Sequence, residues 1–317
     1  MNTKFLSSLQ RIFGAACLIA FSGTLWAEDE VKPLNPAALI RGEILYDGAC
    51  AGCHGQSGRG DGVSGQYLNP RPRDLTKGIY KFRSTPSGEL PTNDDVFRVI
   101  QKGIPRTMMP GFETMMTEQE MWDIVEYTKS FSPDFVEYGS GEPFYIPPSV
   151  EATPSSIEEG KSLFMVLACW TCHGAKGLGD GPSAPTLKDY AGLPIEAFDF
   201  TQGVYKGGER LEDVYRTLMG GLDGTPMAAY ANALLFEGGN VNNPDNYNKV
   251  YSPIEIDVLK KFMAKQPSEF DINSMSESGK QELIQRRAWS LVHYVKSLSR
   301  HTGIFYWLFG FDTEITQ

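Results

Sequence analysis

Two short stretches, Cys50-Ala51-Gly52-Cys53-His54 and Cys169-Trp170-Thr171-Cys172-His173, share the spacing Cys-x-x-Cys-His and decide how the rest of the sequence is interpreted. On one helical turn the two thiols of such a stretch lie close together, and an imidazole follows directly. The chain of 317 residues holds five cysteines, and four of them lie in these two stretches. Paired cysteines in an exported protein usually predict disulfides, but the histidine after each pair argues against that interpretation.

The spacing Cys-x-x-Cys-His is typical of covalent haem c attachment. Two thiols one turn apart reach the two vinyl groups on one edge of the porphyrin, and the next residue directs its imidazole at the iron. A zinc site would instead need both pairs to converge on one ion, and a thioredoxin-like site expects a strand before the motif and no histidine after it. The sequence therefore predicts two haem c groups, bound through Cys50, Cys53, Cys169 and Cys172, with His54 and His173 as iron ligands.

The two parts of the chain resemble each other well beyond these motifs. Residues 58–62 recur at 177–181, shifted by 119 positions, and residues 74–81 recur at 199–206, shifted by 125. Val96 recurs as Val214, shifted by 118, and Trp122 recurs as Trp289, shifted by 167. The chain is therefore a tandem duplication, with a short insertion before residue 199 and a large one between residues 227 and 289.

Methionine is the sixth ligand that the sequence suggests for each iron, since it raises the reduction potential relative to histidine. Met108 and Met109 are adjacent candidates in the first part of the chain. The shift that aligns Val96 with Val214 places Met109 on Met227, so the duplication predicts Met109 and Met227 as iron ligands. Ordinary core packing is the alternative, and it is the interpretation we give the other methionines.

Two further histidines, His293 and His301, could replace a methionine as ligand. His293 aligns with Glu126, which predicts an exposed position on a helix.

Apolar periodicity predicts a mostly α-helical chain, with no sustained strand pattern. Helices are expected over 36–47, 94–102 and 211–218, and around Trp122 and Trp289, with capping boxes at Thr117–Glu120 and Ser252–Glu255. Gly42 precedes the first motif as Gly160 precedes the second. A glycine at that position would let the closing helix of each repeat cross closely.

This layout resembles the class I cytochrome c fold, and two such domains in tandem resemble the dihaem cytochromes c. The resemblance covers about 35–135, 155–230 and 278–300. It implies two haem-wrapping domains that transfer single electrons between redox protein partners, either as a carrier or as a subunit of a membrane or molybdenum oxidoreductase complex. A dihaem cytochrome c peroxidase is the alternative, but it needs an open or displaceable sixth position and a distal acid–base group, and the sequence indicates neither.

The resemblance also implies roles around each haem. In this family a proline carbonyl holds the iron-binding histidine, and Pro70 and Pro185 are the nearest candidates. Groups near the haem propionates would correspond to Tyr80, Lys81, Arg83, Tyr205 and Lys206. Simple packing or solvation of a loop is an equally good interpretation of these residues.

The predicted organisation has five parts: a signal peptide at 1–27, a first domain at 28–131, a linker at 132–156, a second domain at 157–300 with an insert at about 231–287, and an apolar tail at 301–317. The basic start and the apolar run over 12–26 predict export to the periplasm by a cleaved signal, and the run is short for a membrane anchor. The proline-rich linker is expected to be extended and semi-rigid. The insert would cover the second haem, form a docking surface or shield an apolar face.

The formal net charge of −10, which becomes −12 without the signal peptide, makes nucleic acid an improbable partner and suits redox proteins with basic docking faces. The apolar stretch 303–311 is too short to span a bilayer. It would contact a partner or a membrane surface, or fold back onto the domain.

Overall fold

The computed structural model describes residues 33–238 and 247–299, all of which fall in one compact unit. The predicted signal peptide at 1–27, the tail with its stretch 303–311, and His301 lie outside the described residues. So does the part of the insert at 239–246. We refer below to residues 33–131 as the first half and to residues 157–299 as the second half.

The first half contains four α-helices: α1 (Pro36–Ala49), α2 (Ala51–His54), α3 (Asn93–Lys102) and α4 (Glu118–Lys129). α1 packs along α4, and α3 packs on α4 as well. Both α3 and α4 begin with a capping box, in which the N-cap threonine and the acidic residue three positions later bond each other's backbone amides. Local sequence therefore sets where these helices start, and their buried apolar faces set how they pack.

The second half repeats this arrangement and adds to it. After α5 (Pro133–Tyr138) come α6 (Pro154–Val166), α7 (Trp170–His173), α8 (Leu211–Gly220), α9 (Pro253–Met263), α10 (Glu269–Ser274) and α11 (Glu277–Ser297). α11 packs on α6 and α8, and α9 packs on α6. Within the described residues the only strand-like pairing is an isolated bridge between Lys188 and Pro194. The predicted mostly α fold is confirmed.

A glycine lies at the helix crossing of each half, as predicted. A Cβ added to Gly42 would fall on the backbone carbonyl of Asp123 in α4, and one added to Gly160 would fall on that of Ser290 in α11. The same hypothetical atoms would lie 2.8 Å from the Cβ of Tyr127 and 2.7 Å from the Cβ of Tyr294. The two crossings thus use equivalent residues of the duplication, and no larger side chain fits either.

The described part of the insert shields the second half. Tyr251 and Leu259 join its core, and the rings of Tyr247 and Tyr251 lie 6.0 and 6.1 Å from that of Trp170, inside the second Cys-x-x-Cys-His stretch. Arg287 of α11 is fully buried and donates to the carbonyl of Leu234. The insert therefore covers an apolar face beside the second motif.

The predicted linker at 132–156 differs from an extended chain at its start, where Pro133 occupies the first turn of α5. Farther along, the Phe144 amide donates to the Ser84 carbonyl at 2.9 Å. At this point the linker is attached to the first half, which limits its freedom. The domain boundaries themselves stay a prediction.

His293 is buried, with 2% of its surface exposed, so the prediction that it is exposed was wrong. Its Nδ1 lies 2.8 Å from the Ser156 hydroxyl, and its Nε2 lies 3.0 Å from the Val150 carbonyl. The linker passes over α11 at this point, whereas its counterpart Glu126 contributes to the start of α1 by accepting from the Asn35 amide. Because both ring nitrogens have hydrogen-bond partners, His293 attaches the linker to α11 and has no nitrogen left to bind iron.

No helix of the described residues is both long enough and apolar enough to cross a membrane.

Candidate functional site

Each Cys-x-x-Cys-His stretch forms a one-turn helix, α2 in the first half and α7 in the second. The four cysteines are partly exposed thiols and form no disulfide. Burial raises the pKa of Cys50 to about 11 and that of Cys169 to about 12. Such neutral thiols differ from the activated thiolates of thioredoxin-like sites. Each pair lies on one helical turn, the spacing that attachment of a thioether-bonded group requires.

The histidine that follows each pair is oriented by a backbone carbonyl. His54 Nδ1 lies 3.3 Å from the carbonyl oxygen of Arg73, and His173 Nδ1 lies 3.0 Å from that of Phe198. A hydrogen bond at Nδ1 leaves Nε2 as the nitrogen that can bind iron, and it also sets the plane of the ring. Burial lowers the pKa of both imidazoles, although the same carbonyl bonds raise it; the net shift favours the neutral form that binds metal.

These carbonyls correct the expectation from the family resemblance, which pointed to Pro70 and Pro185. The Leu75 amide donates to the Gly58 carbonyl at 2.7 Å, and the equivalent Phe200 amide donates to Gly177 at 2.7 Å. This bond closes the loop after each motif so that the residue two positions before the donor reaches the histidine.

Arg73 and Phe198 were missed as site residues in the sequence, although a signal was available. The shift of 125 that aligns 74–81 with 199–206 also places Arg73 on Phe198, directly before the repeated stretch.

The predicted methionine ligands occupy identical loops. The amide of Met109 donates to the Thr107 hydroxyl at 3.1 Å, and that of Met227 donates to the Thr225 hydroxyl at 3.2 Å. The Met109 carbonyl accepts from Ile104 at 3.0 Å, as the Met227 carbonyl does from Leu222 at 2.9 Å. The structure therefore makes Met109 the counterpart of Met227. Their binding to iron stays a prediction.

The methionine beside Met109 has a different environment. Met108 is 68% exposed, whereas Met109 packs against the core of the first half, which Cys50 and Tyr80 also adjoin. Only Met109 of the two is therefore placed on the same core as an attachment cysteine.

Several buried polar atoms beside these residues lack a partner, which tests whether the residues fit a haem. The Arg73 Nη1 and the Tyr80 hydroxyl are buried without a hydrogen bond, and the two groups interact electrostatically. Buried polar groups are nearly always bonded, so these two await an acceptor such as a propionate carboxylate. The attachment thiols, the oriented imidazoles and these donors together fit haem c.

The other residues expected near the propionates differ in their surroundings. Burial, together with the charges of Arg73 and Lys206, lowers the pKa of Lys81 to about 8. The Tyr205 hydroxyl already donates to the Val295 carbonyl at 3.2 Å.

Arg83 has a different role from the one the resemblance implied. Its guanidinium is fully buried and reaches into the second half, where it donates to the Gly220 carbonyl at 2.8 Å and pairs with Asp223 at 2.9 Å. Both partners lie at or just after the end of α8, next to the Met227 loop, so Arg83 joins the halves. Its other nitrogens donate to the carbonyls of Pro86 and Tyr80 in the first half, so no donor nitrogen of Arg83 is left for a propionate.

Among the described residues, no group of three or more histidine, cysteine, aspartate or glutamate side chains converges as a metal site would require. No such group in the described part of the chain joins the two cysteine pairs.

A helical chain with two oriented Cys-x-x-Cys-His turns and two matching methionine loops defines a tandem c-type cytochrome. The cytochrome c family model matches residues 39–132 and 157–264, and the chain belongs to the cytochrome c family. Cytochrome c domains imply haem c and electron transfer.

Among solved structures, the chain is similar to a component of the reducing HAO-like protein complex of Kuenenia stuttgartiensis. The two are 35% identical with a TM-score of 0.63, and the match covers 82% of this chain and 96% of that one. The comparison with curated proteins finds no match.

Proposed function

We propose that the protein is a periplasmic dihaem cytochrome that carries single electrons between respiratory redox proteins, as an electron-transfer subunit of an oxidoreductase complex. The observation that carries this proposal is that both halves repeat the same two features: a histidine held by a backbone carbonyl and a methionine in the same loop. When bound, haem c supplies reversible one-electron chemistry at iron.

The residues of each site then have distinct tasks. Cys50 and Cys53, like Cys169 and Cys172, hold the group covalently. The carbonyls of Arg73 and Phe198 keep the imidazoles in a fixed orientation, so little rearrangement accompanies a change of charge.

A place within a complex is supported by the similar structure. That chain belongs to a complex of HAO-like proteins, and the present chain matches nearly its whole length. The formal net charge of −10 suits a partner with a basic docking face, because opposite charges steer encounter. The signal sequence at 1–27 supports the exported location.

The absence of catalysis is part of the proposal. A peroxidase would need one site that differs from the other, with an open sixth position and an acid–base group over it. The described residues instead give both sites the same loop, with Met109 and Met227 at one register. Peroxide turnover by the purified protein would contradict this part of the proposal.

The test is a spectrum of the full chain, produced in a host that matures c-type cytochromes. We expect two haems per chain and a red charge-transfer band from sulfur ligation in the oxidised protein. Met109→Ala and Met227→Ala should each remove about half of that band, because each removes one of two equivalent ligands. Met108→Ala is the control and should leave the band intact, since that side chain is exposed.

A colourless protein with four free thiols would refute the proposal. An unchanged band in both Met109→Ala and Met227→Ala would refute the ligand assignment alone.

A further inference from the structure

Besides Arg83, two arginines of the first half reach residues of the second half, and each of these two contacts involves a residue that orients a histidine. The guanidinium carbon of Arg73 lies 4.8 Å from the ring centre of Tyr190. Arg73 is also the residue whose carbonyl accepts from His54. The side chain of this residue is therefore held by the second half while its backbone holds a histidine of the first.

The second contact involves Arg106 and Phe198. The guanidinium carbon of Arg106 lies 5.5 Å from the ring centre of Phe198, whose carbonyl accepts from His173. The neighbouring carboxylate of Asp199 lies within electrostatic range of Arg106. A residue of the first half therefore contacts the segment that orients the histidine of the second.

The duplication relates these two contacts. The shift of 125 pairs Arg73 with Phe198, and the shift of 118 pairs Arg106 with Gly224. A Cβ added to Gly224 would lie 2.8 Å from the Arg73 Nη1 and 3.0 Å from the Tyr190 Cδ1. In both contacts, the residue that orients one histidine lies against the methionine loop of the other half.

The backbone at these positions supports a specific role for Arg106. Gly224 has φ +75°, a left-handed conformation that glycine adopts without strain. Arg106 has φ +60°, which is disfavoured for a residue with a side chain. The second half therefore has glycine at this left-handed position, and the first half has arginine despite the strain. The arginine side chain adds the contact with Phe198.

We propose that Arg106 and Tyr190 are positioning residues that act across the two halves. Arg106 steadies the carbonyl that holds His173, and Tyr190, through Arg73, steadies the carbonyl that holds His54. This inference rests on the proposed function, because a hydrogen bond at Nδ1 tunes an axial histidine only when iron is bound. The reduction potential of each haem then depends on a residue of the opposite half.

The test exchanges these residues in the full haem-loaded chain and follows each histidine separately. Arg106→Gly introduces the residue that the second half carries, so the fold is expected to tolerate it, and Tyr190→Ala removes a ring that is 40% exposed. The readouts are the Nδ1–H signals of the two histidines in nitrogen-15 spectra of the reduced protein, and the two midpoints of a potentiometric titration. Arg71→Ala, which removes an exposed arginine from the Arg73 loop, is the control.

The effects are expected to cross between the halves. Arg106→Gly should shift the His173 signal and one midpoint, with a smaller change or none at His54, and Arg106→Lys should return both readouts toward the wild-type values. Tyr190→Ala should shift the His54 signal and the other midpoint. The control should leave both histidines unchanged.

Two results would overturn the inference: no change at either histidine, or a change confined to the half that carries the substitution. A haem count below two per chain would instead refute the proposed function, and it is measured before the spectra. The two failures are therefore distinguishable.

Discussion

Removing the buried guanidinium of Arg83 should weaken the contact between the two halves and lower the free energy of unfolding. In Arg83→Met the apolar stem is kept, but the carbonyl of Gly220 and the carboxylate of Asp223 lose their bonds to the guanidinium. Asp223 keeps its bonds to the Ser87 hydroxyl and the Gly88 amide, both at 2.9 Å, so its charge is only partly compensated.

The expected loss follows from these contacts. A hydrogen bond to a charged group contributes about 1.5–3 kcal/mol, and two such bonds, at 2.8 and 2.9 Å, join Arg83 to the second half. Breaking a buried ion pair by removing one partner costs about 3–5 kcal/mol. Since Asp223 is 18% exposed, water relieves part of this penalty. We therefore expect Arg83→Met to lower the free energy of unfolding by about 3–4 kcal/mol.

Guanidinium chloride unfolding of the haem-loaded chain measures this loss, and a double-mutant cycle with Asp223→Asn isolates the pair. We expect a coupling of about 1–3 kcal/mol between the two residues. Arg210→Ala is the matched control, because Arg210 is 76% exposed and its ion pair with Glu212 should contribute less than about 1 kcal/mol. A loss for Arg83→Met no larger than that of the control would refute the reasoning.

Two further predictions concern the second half and its insert. Gly160→Ala should lower the free energy of unfolding by about 1–3 kcal/mol, because the added Cβ meets the α11 backbone. Gly48→Ala is the control and should cause no such loss, since the space around Gly48 is open. Equal effects of the two substitutions in denaturant titrations would contradict this. Burial raises the pKa of Glu255, but hydrogen bonds from Lys161 and the capping serine outweigh it and lower the pKa to about 2 from the usual 4.5. This stabilisation is present above about pH 4.5 and is lost as the pH falls toward 2. In Glu255→Gln the Tm should therefore fall less steeply between pH 4.5 and 2 than in the wild type. Glu277→Gln is the control, because that carboxylate is 84% exposed, and its Tm should follow the wild type.

Much of the fold and site could be predicted from sequence because it depends on contacts between near neighbours. The Cys-x-x-Cys-His spacing places thiols and imidazole on one turn wherever that turn lies. The boxes at Thr117 and Ser252 start helices through bonds that span three residues. The duplication supplied a second copy of each feature, which is how Met109 could be chosen over Met108.

What required the tertiary structure involves residues that are far apart in the chain. The carbonyls of Arg73 and Phe198 lie 19 and 25 positions from the histidines that they hold, and only the folded loop brings them together. Arg83 bonds a carbonyl 137 positions away, and His293 bonds one 143 positions away.

The sequence by itself therefore determined the two Cys-x-x-Cys-His turns, the helices and the repeated register, because these arise from bonds and periodicities within a few residues. Only the tertiary structure decided which carbonyl orients each histidine and which polar side chains are buried between the halves. Burial of a polar group depends on the partner that the rest of the chain supplies, and sequence spacing does not specify that partner.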